Sequence, residues 1–268
     1  YLYNSILKMT YIHNINPVLI TIGPLNLYWY GAMYAISFIL IDYMMKQQTN
    51  EHDDSFNLVI LDKILLISLI SLILGGRLGY VLFYNMEYYL LNLNRVLFIW
   101  EGGMSFHGAL LGVLIGLLYI SKTENISFLK ISDLVVLYIP IGLFFGRIGN
   151  FINSELYGHP TDSDYGVIFP IIDNIPRHPS MLYEAFLEGI VLYIVLRFMH
   201  KKRLDTGILT SLFLTLYAFF RFIVEFVRVP DVHIGYLYST WLTMGMILSF
   251  PMFIFGIMIY YFSIKRKE

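Results

Sequence analysis

The chain has 268 residues and a net charge of −1 at pH 7, with 57% hydrophobic and 14% charged residues. Soluble domains carry roughly a quarter charged residues, so this composition indicates a membrane protein, and the balanced charge argues against nucleic-acid binding. There is no cysteine, which excludes disulfides and a thiol nucleophile supplied by the chain itself.

Seven apolar runs approach the roughly 20 residues that a helix needs to cross a bilayer. In chain order, the predicted spans are 27–45, 61–84, 104–121, 132–152, 181–199, 207–228 and 238–262. We predict an all-α, polytopic membrane protein with small periplasmic segments. It would form one integral-membrane domain over residues 9–268, with 1–8 as a non-native or upstream extension before Met9.

Lysine and arginine are concentrated at one set of predicted helix ends, which predicts the orientation of the chain. One set of loops and the C-terminal tail holds most of them, whereas the opposite set holds Lys8, Arg95 and Arg177. The N-terminus is therefore predicted outside and the C-terminus in the cytoplasm.

Four arginines, Arg77, Arg147, Arg221 and Arg228, lie within or at the end of predicted spans, toward the outer side. A charge at the bilayer centre costs roughly 2.5–3.5 kcal/mol on insertion scales. A single arginine near a helix end can reach the headgroups by extending its side chain. Four on the side that the positive-inside rule disfavours predict a shared polar cavity.

The run GRIGNFINSELYG places polar side chains at the end of the fourth span. Arg147, Asn150 and Ser154 share one face if the helix continues through them, and Gly149 leaves room for a ligand. Gly142 and Gly146 are four residues apart, and this spacing of small residues predicts that another helix packs closely there. The alternative is a helix end with polar caps.

The run RFIVEFVRVPD places Arg221, Glu225 and Arg228 at i, i+4 and i+7, in one stripe. Two arginines and one carboxylate leave a net positive charge, and guanidinium groups bind phosphate through two hydrogen bonds. The stripe therefore predicts an anion site. The alternative is a structural triad that joins helices.

Three further stretches belong to this outer side. In GGMSFHGALLGVLIG, His107 begins a span and could accept a proton at neutral pH. The alternative is a core histidine that donates to a carbonyl. Gly108, Gly112 and Gly116 predict a ridge for close helix packing, and Gly75 and Gly79 predict a second one. Tyr30 begins the first span, where an aromatic belt is the alternative. The run RHPSMLYE begins the fifth span.

From the residues alone, we infer an outward-facing cavity rich in arginine, with a histidine and a glutamate. Its natural ligand is an amphiphilic anion, such as a phospholipid headgroup, which the protein transports, binds or changes chemically. Metal-ligand spacings and nucleotide-binding motifs are absent from the sequence, so we predict neither metal nor cofactor.

GRIGNFINSELYG resembles the pattern G-R-x-G-N-F-x-N-x-E-x-x-G of the bacterial prolipoprotein diacylglyceryl transferase family. The resemblance also covers YWYGAMY, GGRLGYVLFYN, GGMSFHGALLG, RHPSMLYE and FRFIVEFVRVPD, in family order. Ala109 departs from the family, in which many members have a second glycine after the histidine, and segment 159–176 is shorter than in some members.

The resemblance implies transfer of a diacylglyceryl group from phosphatidylglycerol to the lipobox cysteine in the signal peptide of a prolipoprotein. A thioether forms and glycerol phosphate leaves, as the first step of lipoprotein maturation. The enzyme would be a multi-pass protein of the bacterial cytoplasmic (inner) membrane, with its site toward the periplasm. A transporter or flippase for an anionic phospholipid is the alternative.

The same resemblance assigns site residues. The expected catalytic residues are Tyr30, His107, Arg147 and Arg221. The residues expected to bind phosphatidylglycerol are Arg147, Asn150, Glu155, Gly158, Arg221 and Glu225, and Arg228 is added to them from the stripe described above. Arg147 and Arg221 would stabilise the departing phosphate, and His107 would take the proton of the substrate thiol, whose thiolate is the nucleophile.

Overall fold

The computed structural model describes residues 10–52, 56–230 and 235–265, and most of them are helical. Helical segments occur at all seven predicted spans. They are α1 Trp29–His52, α2 Leu58–Phe83, α4 Phe106–Glu124, α5 Phe128–Ile152, the run α6 Ser180–Glu184, π-helix Ala185–Val191 and α7 Leu192–His200, then α8 Ile208–Glu225 and α9 Met244–Lys265. Within the described residues, five of them are long and apolar enough to cross a membrane: α2, α4, α5, α8 and α9.

The prediction of an all-α chain omits several short strands. Strands β2 (Val18–Ile22) and β3 (Leu25–Tyr28) form an antiparallel hairpin before α1. Strands β1 (Tyr11–Ile12), β4 (Val167–Ile168) and β5 (Pro176–Arg177) form a small sheet in the order β1-β4-β5. Strands β1, β4 and β5 have only two residues each, too few to show a period-two pattern. Strand β2 reads VLITI, which is apolar at four of five positions and shows no alternation, so the hairpin was not predicted either.

The described chain divides into two compact units, which we treat separately. One comprises the described residues up to Ile41 together with those from Asp133 onward, and the other is Asp42–Ser132. The smaller unit contains α2, the short helix α3 (Met86–Leu91), two 3₁₀ turns (Leu93–Leu97 and Ile99–Glu101) and α4.

In the smaller unit, α2 and α4 pack through their glycines, which confirms the predicted ridges. A Cβ on Gly79 would lie 2.7 Å from the Cα of Gly108, and one on Gly112 would lie 3.0 Å from the Cα of Gly75. The backbones can approach this closely only because these positions carry no side chain.

We expect Gly112→Ala to lower the free energy of unfolding by about 1–3 kcal/mol, because its methyl group would overlap α2. Gly142→Ala in α5 is the matched control, since a Cβ there has open space within 4 Å. It should be neutral or stabilise by up to about 1 kcal/mol. Thermal unfolding in detergent measures both, and equal effects would contradict the packing argument.

Arg77 of α2 is buried in the smaller unit and donates hydrogen bonds to the connection between α2 and α4. Its guanidinium donates to the carbonyls of Arg95 (2.7 Å), Val96 (2.8 Å) and Gly102, and it lies over the ring of Tyr89. The sequence grouped Arg77 with three other arginines as lining one cavity. Its donors serve backbone carbonyls instead, which explains how a guanidinium is accommodated in an apolar helix.

Candidate functional site

The larger unit contains a buried ion cluster centred on Glu184 of α6, a side chain that is 0% exposed. Its Oε2 lies 2.6 Å from Nε of Arg147, which α5 supplies. Its Oε1 accepts from Nη1 of Arg221, on α8, and lies 3.2 Å from Nη1 of Arg228, just beyond α8. One carboxylate therefore joins three of the four arginines that the sequence singled out.

Two more carboxylates complete the cluster. Glu225 pairs with Arg221, lies 3.8 Å from Arg228 and accepts a hydrogen bond from Thr243. Glu188, in the π-helix, has its Oε2 3.7 Å from Nη2 of Arg147.

The formal charge of the cluster corrects the sequence interpretation. The stripe on α8 predicted a net positive site, but Glu184 and Glu188 balance it, giving three arginines and three glutamates. Glu184 was predicted only as part of the stretch RHPSMLYE, and Glu188 was not predicted as a site residue. Its signal was present, because a carboxylate inside a predicted span is itself a mark of function.

A chain of side chains runs from the cluster to an exposed carboxylate. Nη1 of Arg147 is 3.4 Å from Oδ1 of Asn150, and Nδ2 of Asn150 donates to Oε2 of Glu155 at 2.9 Å. Asn153 donates to the other oxygen of Glu155 at 3.2 Å. Asn150 and Glu155 are thus connected to Arg147, while Glu155 stays exposed.

Ser154 does not share the predicted face with Arg147 and Asn150. Helix α5 ends at Ile152, and Ser154 takes a positive φ of 57°. Its hydroxyl lies 3.2 Å from Nδ1 of His13 instead. The prediction was wrong because it assumed that the helix continued for one more turn.

Tyr30, at the start of α1, packs against Gly149 of α5. A Cβ on Gly149 would lie 2.7 Å from Cδ2 of Tyr30, so the predicted room for a ligand is filled by this ring. The Tyr30 hydroxyl lies 3.3 Å from that of Tyr34. The prediction that another helix packs closely at Gly142 is also wrong, because no atom of another helix among the described residues would lie within 4 Å of a Cβ at this position.

Gly158 is a backbone contact point beside the cluster. It forms an antiparallel bridge with Arg228, and its N–H donates to the carbonyl of His178 at 2.8 Å. A Cβ on Gly158 would lie 2.7 Å from the Cβ of His178. Because Gly158 has no side chain, the segment after α5 can pass close to the backbone that carries Arg228.

His107 belongs to the smaller unit. It is the second residue of α4, its side chain is exposed, and its ring meets that of Phe106 edge-on at 5.6 Å. Its predicted position near the arginines stays a prediction. In the part of the chain that the structure describes, no group of three or more His, Cys, Asp or Glu side chains could hold a metal ion.

Arg177 anchors the segment of the larger unit between α5 and α6. Its Nε donates to both carboxylate oxygens of Asp173, at 3.2 and 3.1 Å, Nη1 donates to the carbonyl of Gly158 at 3.3 Å, and the guanidinium lies over the ring of Tyr157. The hydrogen bond from Arg177 lowers the pKa of the Asp173 carboxyl below its ordinary value of 3.8.

A carboxyl with a lowered pKa stabilises the fold above its unfolded-state pKa, and this contribution disappears as the pH falls through the lowered value. We expect Asp173→Asn to speed amide hydrogen exchange in residues 157–178 at neutral pH. The variant and the unaltered protein should converge in acid. A difference that persists in acid, or none at neutral pH, would contradict a role for this pair in ordering the segment.

Comparison with known proteins identifies the chain at the level of family. The family model described as prolipoprotein diacylglyceryl transferase matches residues 17–262. The chain is 44% identical over 255 residues to the phosphatidylglycerol–prolipoprotein diacylglyceryl transferase of Methylococcus capsulatus, covering 95% of this chain and 97% of that protein.

Two further relatives carry the same name. The protein of Nitratidesulfovibrio vulgaris strain DP4 is 44% identical over 243 residues, covering 91% of this chain and 92% of that protein. The protein of Pseudomonas putida strain F1 is 43% identical over 256 residues, with 94% and 96% covered. The chain belongs to the prolipoprotein diacylglyceryl transferase family.

Proposed function

We infer that this chain transfers the diacylglyceryl group of phosphatidylglycerol to the lipobox cysteine of prolipoproteins. Membership of the family supports this, as do relatives at 43–44% identity that are named for this activity. The cysteine sulfur bonds to the glycerol carbon of the lipid, the carbon–oxygen bond to phosphate breaks, and glycerol phosphate leaves. The thiol gives up its proton, and a thioether remains.

Arg147 and Arg221 bind the phosphate and stabilise its charge as the carbon–oxygen bond breaks. The observation that carries this assignment is their convergence on Glu184, with side chains still 17% and 14% exposed. A guanidinium held by a carboxylate on one edge can present its remaining N–H groups to phosphate oxygens. Arg228, whose side chain is 7% exposed, contacts the same carboxylate oxygen of Glu184 as Arg221 and supports the same site.

The remaining residues position these groups. Glu225 orients Arg221 through their ion pair. Asn150 and Glu155 extend from Arg147 toward the exposed side, where they contact the headgroup or the lipobox. Tyr30 holds this part of α5 by packing on Gly149, and Gly158 sets the backbone beside Arg228.

His107 is the proton acceptor for the substrate thiol in this proposal. We expect His107→Gln to reduce the rate of transfer by about 10²-fold or more, because glutamine cannot accept the proton of the thiol, and to alter how the rate depends on pH. The measurement is the initial rate of transfer to a lipobox peptide as a function of pH. An active variant with an unaltered profile would assign the proton to another group.

The chain crosses the cytoplasmic membrane seven times, with its N-terminus outside and its site toward the periplasm. The helical segments at all seven predicted positions support this topology. The lysine and arginine bias of the loops supports the orientation.

The direct test is to incubate the purified full chain with phosphatidylglycerol and a peptide that carries a lipobox cysteine. We expect the peptide to gain the mass of a diacylglyceryl group at cysteine. Phosphatidylcholine in place of phosphatidylglycerol is the control for headgroup specificity. An unmodified peptide, with lipid moved between leaflets of a vesicle, would favour the flippase alternative.

A further inference from the structure

Glu188 differs from the other two carboxylates of the ion cluster. Its side chain is 0% exposed, and both of its carboxylate oxygens are buried without a hydrogen-bond donor. The nearest cation is Arg147, whose Nη2 lies 3.7 Å away, beyond hydrogen-bond distance. Glu184, by contrast, lies within hydrogen-bond distance of three arginines.

The backbone fixes Glu188 in this position. It lies within the π-helical turn Ala185–Val191, and a Cβ on the next residue, Gly189, would lie 2.7 Å from the Cβ of Phe144 on α5. This close approach keeps Glu188 beside Arg147. π-Helical turns are rare and are often found at functional sites.

Charged and titratable groups from each neighbouring element act on Glu188. They are Glu184 from its own helical run, Arg147 from α5, Tyr217 and Arg221 from α8, and Arg228 beyond α8. Glu184, one helical turn away, repels a second negative charge. A buried carboxylate without donors costs several kcal/mol to keep ionised. Glu188 is thus the member of the cluster best suited to hold a proton.

The net charge of the cluster indicates how a proton on Glu188 would affect the binding of an anion. With all six groups ionised the cluster is neutral, and a bound phosphodiester would leave one uncompensated negative charge inside the protein. With Glu188 protonated, the cluster carries one positive charge, which matches the single charge of the phosphodiester. Neutralising Glu184 or Glu225 instead would remove the partner of an arginine.

We propose that Glu188 carries a proton when the phosphodiester of phosphatidylglycerol is bound, so that lipid binding is coupled to proton uptake at this residue. The proposal rests on the proposed function for the identity of the lipid. It makes Glu188 a residue that sets anion affinity, in contrast to the arginines, which touch the phosphate.

The test measures binding of a fluorescent phosphatidylglycerol to the full chain in detergent, without peptide, so that transfer does not occur. The dissociation constant of the unaltered protein should rise by about tenfold or more between about pH 6 and about pH 9, because an ionised Glu188 repels the phosphate. Glu188→Gln is neutral at every pH and should change by less than about twofold. Glu87→Gln, an exposed glutamate of α3, should behave as the unaltered protein does.

A second measurement uses the unaltered protein and does not depend on the folding of a variant. Calorimetric titration with phosphatidylglycerol in alkaline buffers of different ionisation enthalpy should show uptake of a fraction of a proton per lipid, up to one, equal to the slope of the logarithm of the affinity against pH. Diacylglycerol, which lacks the phosphate, should bind without proton uptake. The same pH dependence in Glu188→Gln as in the unaltered protein, or binding without proton uptake, would overturn the proposal.

The peptide-modification assay separates this inference from the proposed function. Transfer of the diacylglyceryl group together with binding of phosphatidylglycerol without proton uptake would support the proposed function and contradict the role of Glu188. Proton uptake that depends on Glu188, together with an unmodified peptide, would support the role of Glu188 in lipid binding and contradict the transferase function.

Discussion

Glu184→Gln is expected to lower the free energy of unfolding by about 3–5 kcal/mol, the range for removing one partner of a buried ion pair. Glu184 faces Arg147, Arg221 and Arg228 in a fully buried position. A neutral amide would leave at least one guanidinium without its charge partner. Denaturant or thermal unfolding of the protein in detergent measures the loss, and transfer activity should fall with it.

Two controls make this result specific to the ion cluster. Glu87→Gln removes one carboxylate from an exposed position in α3 and should leave stability unchanged within about 0.5 kcal/mol. Glu184→Asp keeps the charge on a shorter side chain and should retain more stability than glutamine does. Stability equal to that of the unaltered protein in Glu184→Gln would show that the arginines find other partners.

Arg147→Ala is expected to reduce the catalytic rate of transfer by about 10²–10³-fold, the size of effect seen when one group that stabilises transition-state charge is removed. Arg147 is the residue that joins the buried carboxylates to Asn150 and Glu155. The measurement is the rate at which a lipobox peptide gains diacylglyceryl mass, with a circular dichroism check that the helices persist.

Arg147→Lys refines the interpretation. Lysine keeps the positive charge but lacks the planar fork that reaches Glu184 with Nε and Asn150 with Nη1. We expect its rate to lie nearer to that of alanine than to that of arginine. Arg95→Ala, at an exposed position, is the matched control. Near-normal transfer by Arg147→Ala would remove this residue from the catalytic proposal.

The sequence predicted those features of the fold that depend on local pattern. The apolar runs located the helices, because a run of about 20 mostly apolar residues is typical of a helix that crosses a membrane. The spacing of Gly75 and Gly79, and that of Gly108, Gly112 and Gly116, predicted close helix packing, since glycines at intervals of four lie on one face. That α2 and α4 are the helices that meet is seen only in the structure. Ser154 was misplaced because the end of a helix depends on the backbone after it, which local spacing does not reveal.

The candidate site could be predicted only in part. The pairing of Arg221 with Glu225 was predicted correctly, because i and i+4 are neighbours on a helix. Arg228 also joins the cluster, but not as part of the predicted helical stripe, since α8 ends at Glu225. The shared partner Glu184 lies 37 residues from Arg221 and 44 from Arg228 along the chain. A contact between separate helices leaves no periodic signal. The neutrality of the cluster therefore emerged only from the structure.

The hydrogen bonds of Arg77 bear on how the membrane segment that contains it is made. Its carbonyl partners Arg95, Val96 and Gly102 lie 18 to 25 residues further along the chain, so the ribosome has not yet synthesised them when Arg77 itself is complete. Insertion of α2 before those residues emerge would place an unsatisfied guanidinium in the bilayer, and the apolar residues around it would have to offset that cost. The loop after α2 then acts as a late intramolecular acceptor that completes a helix already in the membrane.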